Sequence, residues 1–187
     1  MSLDWGILQW IQSTLVCLAL DILMPNITAL GNAGAIWLLA AVVLIITKKY
    51  RRQGLFLLLG LAASVLVGNV LLKNLIARPC PCRIDPCRID TSVPLLIANP
   101  TDYSFPSGHT LSSVISAVIL AKTDRRFGYA AIPLAVLIAF SRLYLYVHFP
   151  SDVLVAAVLG IIIGHLIFRF GDSLLNKLKA PRLRTKS

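Results

Sequence analysis

Five apolar runs, at roughly 30–47, 54–72, 107–121, 128–147 and 150–170, dominate this 187-residue chain. Crossing the hydrocarbon core of a bilayer takes about 20 helical residues, with a range of about 17–25. The third run is short of that range and the others fit it. A backbone that crosses lipid must satisfy its own polar groups, which leaves helices and closed barrels. The runs lack the alternation of barrel strands. The expected fold is therefore all-α: an integral membrane helical bundle of five transmembrane helices plus an N-terminal interfacial helix. Charge content agrees, at 14% of residues against about 25% in a typical soluble domain.

The net charge of +10 is not a nucleic-acid signature, because its distribution is wrong for one. No Lys or Arg precedes Lys48. Basic residues gather at Lys48, Lys49, Arg51 and Arg52, at Lys122, Arg125 and Arg126, and from Lys177 to Lys186. Each group flanks an apolar run, as cytoplasmic loops do under the positive-inside rule. Threading the runs on that basis puts loop 73–106 and the turn at 148–151 together on the extracytoplasmic side. The chain then divides into an N-terminal amphipathic segment (1–29), the bundle (30–170) and a basic cytoplasmic tail (171–187). Trp5 and Trp10 suit an interface, and Gln9, Gln12 and Asp21 interrupt the apolar stretch from Trp5 to Met24. A sixth span is the alternative reading of that stretch. It has no basic n-region of a cleavable signal. The sequon Asn26-Ile27-Thr28 matters only in a secretory pathway and is discounted.

Three polar clusters interrupt the apolar chain. Ionisable groups in or beside spanning segments are costly, which makes them functional candidates. Lys73, Arg78 and Pro79 follow the second run; Ser104 to Thr110 opens the third; Ser141, Arg142, His148 and Asp152 bridge the fourth and fifth. Lys73, Arg78 and Arg142 supply donors suited to phosphate oxygens. Pro106-Ser107-Gly108-His109 opens a helix whose free N–H groups favour an anion. Asp152 lies four residues after His148, with Pro150 suited to a first helical turn. A carboxylate on one imidazole nitrogen fixes the tautomer and leaves the other as a nucleophile. His109 is a second titratable group, placed to protonate a leaving oxygen.

This pattern resembles the type 2 phosphatidic acid phosphatase superfamily, whose motifs are K-x6-R-P, P-S-G-H and S-R-x5-H-x3-D. The second is complete in Pro106, Ser107, Gly108 and His109, and the third in Ser141, Arg142, His148 and Asp152. The resemblance implies two-step, metal-independent phosphate hydrolysis with no cofactor. His148 attacks phosphorus, His109 protonates the leaving oxygen and then activates water, and Asp152 orients His148. Lys73, a loop Arg, Ser107, the Gly108 amide and Arg142 hold the phosphoryl oxygens.

The first motif departs from the pattern: counting from Lys73, the family Arg falls on Cys80. Arg78 is the expected replacement, with Arg83 second and Arg88 behind it. The unit PCRID occurs twice, at 81–85 and 86–90, which blurs the register. Cys80, Cys82 and Cys87 share this loop, in a C-x-C-x4-C spacing that lacks the paired C-x-x-C of zinc sites. A metal and a Cys82–Cys87 disulfide are both open readings, and neither is favoured. Cys17 is read as inert and His165 as a packed helix contact. Asp102 and Tyr103 are read as shaping the loop, Asp21 and Asp172 as interfacial.

The implied substrate is a membrane lipid phosphate taken from the phospholipid bilayer. Undecaprenyl pyrophosphate leads, with phosphatidylglycerophosphate and phosphatidic acid as alternatives. A lipid phosphotransferase and a non-catalytic derivative are the rival readings. The sequence sets no oligomeric state.

Overall fold

The computed structural model describes residues 3–84, 95–98 and 100–179. Cys87, Arg88, the second PCRID unit and the basic tail from residue 180 lie outside the described residues, and with them the Cys82–Cys87 pairing.

Among the described residues every regular element is helical. The seven longer helices are α1 (Leu3–Thr14), α2 (Leu18–Leu30), α3 (Ala35–Ile46), α4 (Arg51–Ser64), α5 (Gly108–Thr123), α6 (Arg125–Tyr144) and α7 (Pro150–Lys179). α4 continues through a π-helical stretch, Val65–Leu72, into a last α-turn, Lys73–Ile76. Three helical segments are long and apolar enough to cross a membrane: Lys48–Ile84, Arg125–Tyr144 and Pro150–Gly171. A fourth is reached if α2 and the segment ending in α3, bent by 47° at their junction, count as one span. α5 has 16 residues, about 24 Å at the helical rise, and so falls short of a core about 30 Å thick.

α5 is short because it is central. It packs against α6, α7 and α4. Its buried residues include Thr110, Leu111, Ser113, Ile115, Ser116 and Ile119, which face several directions. Hydroxyls as well as aliphatic groups fill this core because small side chains let helices approach closely. Gly160 and Gly164 of α7 show the approach: a Cβ there would meet Val114 and Val118 at 2.8 and 2.9 Å. Large apolar side chains instead coat the outside, among them Leu66, Leu71, Ile132, Val136, Leu154 and Val158. At the basic end the α5–α6 turn is closed by Asp124. Its carboxylate accepts from the Arg126 amide at 2.9 Å and from Tyr50 Oη at 3.3 Å.

Two readings change with the structure. The run at 30–47 is not one helix. Its start is a break, where Ala33 (φ 51°) and Gly34 (φ 68°) adopt left-handed backbone; only Gly does so without penalty. The segment before it is two helices docked on the bundle: Gln12 Nε2 donates to the Tyr144 carbonyl at 2.9 Å, and Tyr144 Oη donates to Asp21 at 2.6 Å. Asp21 is thus a tertiary contact rather than only an interfacial acid. The second change is His165, which faces outward and bonds the Ile161 carbonyl of its own helix at 2.9 Å. Gly164 takes the close contact with α5, and the next residue round the helix is turned away.

Candidate active site

A cavity of about 670 Å³ opens at the end of the bundle away from the Lys122–Arg126 turn. Lys73, Gly108, His109, Arg142 and His148 all line it. One wall is the α2–α3 break; another is the π-helical stretch, a distortion that recurs at functional sites.

His148 sits in the turn between α6 and α7. Its Nδ1 lies 2.7 Å from the Ser104 carbonyl oxygen. A carbonyl only accepts, so Nδ1 carries the proton and Nε2 keeps a lone pair. The expected direct bond from Asp152 is not made: Asp152 Oδ2 is 3.8 Å from Nδ1. That carboxylate accepts instead from Ser104 Oγ and from the Phe149 amide, the latter at 2.8 Å. Asp152 thereby braces both segments that carry the imidazole. Burial holds the His148 imidazole below its ordinary pKa and the Arg142 charge adds to this, against the opposing pull of Asp152.

Arg142 and Lys73 are the cations of the cavity. Arg142 is 6% exposed, and its Nη1 donates to Thr28 Oγ1 at 2.7 Å. Its Nε is buried with no partner, a donor left for a ligand. The buried Lys73 ammonium donates to the Asp102 carboxylate. Burial would raise the Asp102 pKa, but the bond and charge of Lys73 outweigh it and hold the group below the ordinary range.

Ser107 caps α5: its Oγ accepts from the Thr110 amide and, at 3.0 Å, from Thr110 Oγ1. Its own hydroxyl proton has no acceptor among the described residues. Next to it, Gly108 lines the cavity at the helix N-terminus. His109 Nε2 lies 3.0 Å from Asn32 Oδ1. Its ring packs on Gly31, where a Cβ would come within 2.7 Å of His109 Cδ2.

The loop arginines are not brought into this group. Arg78 Nη1 donates to Asp152 Oδ1 and Ser151 Oγ, each at 2.7 Å, and Nη2 to Asp4 at 2.8 Å. Its guanidinium lies 3.9 Å over the Phe149 ring. Arg83 donates to the Pro100 carbonyl. Cys80 is 1% exposed, with Sγ 3.5 Å from the Asp102 carbonyl oxygen. Among the described residues no three His, Cys or Asp side chains cluster as metal ligands would.

Sequence reasoning missed Thr28, Asn32 and Asp4. The one available signal was the Gly31-Asn32-Ala33-Gly34 stretch, whose two glycines mark a break. Its position beside His109 is purely tertiary.

Two fixed cations, a helix N-terminus and an imidazole with a free nitrogen can together hold and attack a phosphoryl group. The chain belongs to the PAP2 superfamily, whose model matches residues 53–174. It is 39% identical over 83 residues to the undecaprenyl-diphosphatase BcrC of Bacillus subtilis, covering 44% of this chain and 43% of that one. With an undecaprenyl-diphosphatase of Sulfolobus acidocaldarius it shares 32% over 126 residues, 67% of this chain and 58% of that one. The matches thus span about half the length of these two relatives. Aquifex aeolicus LpxE has a similar structure, with a TM-score of 0.71 at 26% identity over 90% of this chain and 96% of that one. So does a PAP2-type phosphatidylglycerolphosphate phosphatase from Bacillus subtilis, with a TM-score of 0.70 at 26% identity over 97% and 87%.

Proposed function

We propose that this protein hydrolyses a lipid phosphate or diphosphate at the outer membrane face, by way of a phosphohistidine on His148. The observation that carries the reading is the His148 Nδ1 contact with the Ser104 carbonyl, in a cavity also lined by Arg142 and Lys73.

In the first step His148 Nε2 attacks phosphorus, a P–N bond forms and the P–O bond to the leaving group breaks. The electron pair departs on that oxygen, which takes a proton from His109. In the second step water attacks the phosphohistidine. The P–N bond breaks, its electron pair returns to Nε2, and His109 takes the proton from water. Arg142, Lys73, the Gly108 amide and the Ser107 hydroxyl hold the phosphoryl oxygens, the preorganised charge that phosphoryl transfer requires. Lys73 first has to exchange its Asp102 carboxylate for a phosphate oxygen. The two cations supply the charge a metal would otherwise bring. Arg78 supports the site through Asp152 rather than touching phosphate.

Undecaprenyl diphosphate is the favoured substrate, supported by the two diphosphatase relatives. Phosphatidylglycerophosphate is the alternative, supported by the structural likeness to a phosphatase of that lipid. The proposed topology has five spans: the bent α2–α3 pair, α4 with its π-helical extension, and α5, α6 and α7. α1 lies at the outer face. The basic residues 48–52 and 122–126, at the end away from His148, favour a cytoplasmic side there.

The test is phosphate release from undecaprenyl diphosphate by the purified protein in detergent with a chelator present. Chelator-resistant activity that His148→Ala abolishes is expected. Activity that survives His148→Ala would sink the phosphohistidine, and folded protein inactive on every lipid phosphate tried would favour a non-catalytic derivative.

A further inference from the structure

Two asparagines in the cavity are left unused by the mechanism above, and they differ from others on the helices. Asn26 and Asn74 turn their amides back onto their own helices, donating to the Ile22 and Val70 carbonyls at 2.7 and 2.8 Å. Asn32 and Asn69 do not, and both line the cavity. Asn32 Oδ1 is 3.0 Å from His109 Nε2. As that oxygen can only accept, Nε2 donates, and both amide protons of Asn32 remain without an acceptor among the described residues. Asn69 stands on the π-helical stretch among the exposed apolar residues Val65, Leu66, Val70 and Leu71. Its amide makes no hydrogen bond to a described residue. An unpaired amide on a spanning segment is costly. Asn69 Oδ1 also lies beside the start of α5, where a Cβ on Gly108 would come within 3.1 Å of it.

The two amides therefore lie beside Gly108-His109, in the same cavity as the two cations and His148. In an in-line displacement the leaving group departs opposite the nucleophile, on the side of the general acid His109. A phosphomonoester's leaving group is a lipid alcohol, with no further oxygens to bind. A diphosphate's leaving group is a lipid phosphate, with two unesterified oxygens that need donors.

We propose that the Asn32 and Asn69 amides form a second phosphate subsite, which takes the lipid-side phosphate of a diphosphate substrate beside His109. This rests on the lipid phosphatase reading above and deepens it. The amides are neutral, so they bind the leaving phosphate without the charge that would hold it after cleavage. The site thereby selects diphosphates over monoesters by geometry, not by net charge.

The test compares farnesyl diphosphate with farnesyl monophosphate, which share one tail, on the full chain in detergent. The quantity read is the ratio of kcat/KM for the diphosphate to that for the monophosphate. A ratio is insensitive to partial loss of folded protein. Asn69→Ala and Asn69→Asp are each expected to lower it at least tenfold, the aspartate more because it repels the anion. Asn32→Ala is expected to lower kcat/KM for the diphosphate, but its ratio is not diagnostic, because disturbing His109 slows the monophosphate more. A ratio unchanged in both Asn69 variants overturns the subsite and leaves the phosphatase reading standing. Wild-type protein that cleaves the monophosphate but not the diphosphate overturns the subsite and the diphosphate reading together.

Discussion

His148 is held by the main chain of Ser104, whose carbonyl oxygen lies 2.7 Å from its Nδ1, and not by Asp152, which stays 3.8 Å away. The orienting contact survives any substitution at 104, whereas the brace that positions it does not survive loss of the Asp152 carboxylate. Ser104→Ala is expected to lower kcat/KM about tenfold. Asp152→Asn is expected to cost about 10²- to 10⁴-fold, as loss of a group that fixes a catalytic imidazole does. Equal losses would show that the hydroxyl, not the carbonyl, sets the ring.

The pH profile follows from burial of the same imidazole. Neutral His148 is the attacking form, so the rate falls as pH drops through its pKa. Burial holds that pKa down, and the acid limb of kcat/KM is therefore expected below the ordinary imidazole value of about 6.5. Asp152 opposes this shift, so the residual activity of Asp152→Asn should show its acid limb at lower pH still. A limb that moves upward in the variant counts against the assignment.

His109 is needed most where the leaving group is worst. A lipid alcohol is a far weaker acid than a lipid phosphate, so protonation matters more for a monoester. In single-turnover measurements, His109→Ala is expected to slow phosphohistidine formation about 10²- to 10⁴-fold with a monophosphate and under about tenfold with a diphosphate. Equal slowing would remove His109 from the acid role.

Arg78 links the start of α1 to the start of α7 through Asp4, Ser151 and Asp152. Arg78→Met leaves the fully buried Asp152 carboxylate without its cation, a change that costs about 3–5 kcal/mol in comparable buried pairs. Asp4→Asn should cost less, and the double variant less than the sum of the two. Unfolding in detergent followed by tryptophan fluorescence reads the cycle. Additive losses would show that the contact does not couple the two helices.

Cys80 stands where the family pattern has Arg. It is packed at 1% exposure and does not line the cavity. Cys80→Arg is expected to lower stability by about 1–3 kcal/mol through overpacking without raising kcat, while Cys80→Ala keeps most of the activity. A strong gain in the arginine variant would mean that the pocket needs a second guanidinium beside that of Arg142.

The parts of this site legible in the sequence are those set by short-range spacing. Pro106 to His109 open one helix, and Arg142 and Asp152 flank the single interhelical connection that carries His148. Their convergence follows from helices that begin and end at the same face of a membrane. The contacts of Arg78 were not legible, because its partner Asp4 is 74 residues away and nothing local announces the pairing. Ser104 was seen, but its main-chain oxygen has no sequence signature. Asn32 looked like part of an apolar run because a break at two glycines changes direction, not composition. The five-span count fits helix lengths only in part, since α5 trades length for a position inside the bundle.

The Asp4–Arg78 contact also bears on how such chains diverge. Asp4 lies outside the stretch that carries the family pattern, yet it holds a residue inside it. Inheritance should therefore treat the two positions as one character: a lineage that loses the acid loses the reason to keep the guanidinium, and one that moves the first helix must find Asp152 another cation. Exchanging α1 between relatives, a swap that leaves every motif intact, would part Asp4 from Arg78 and leave Asp152 with a cation held on one side only.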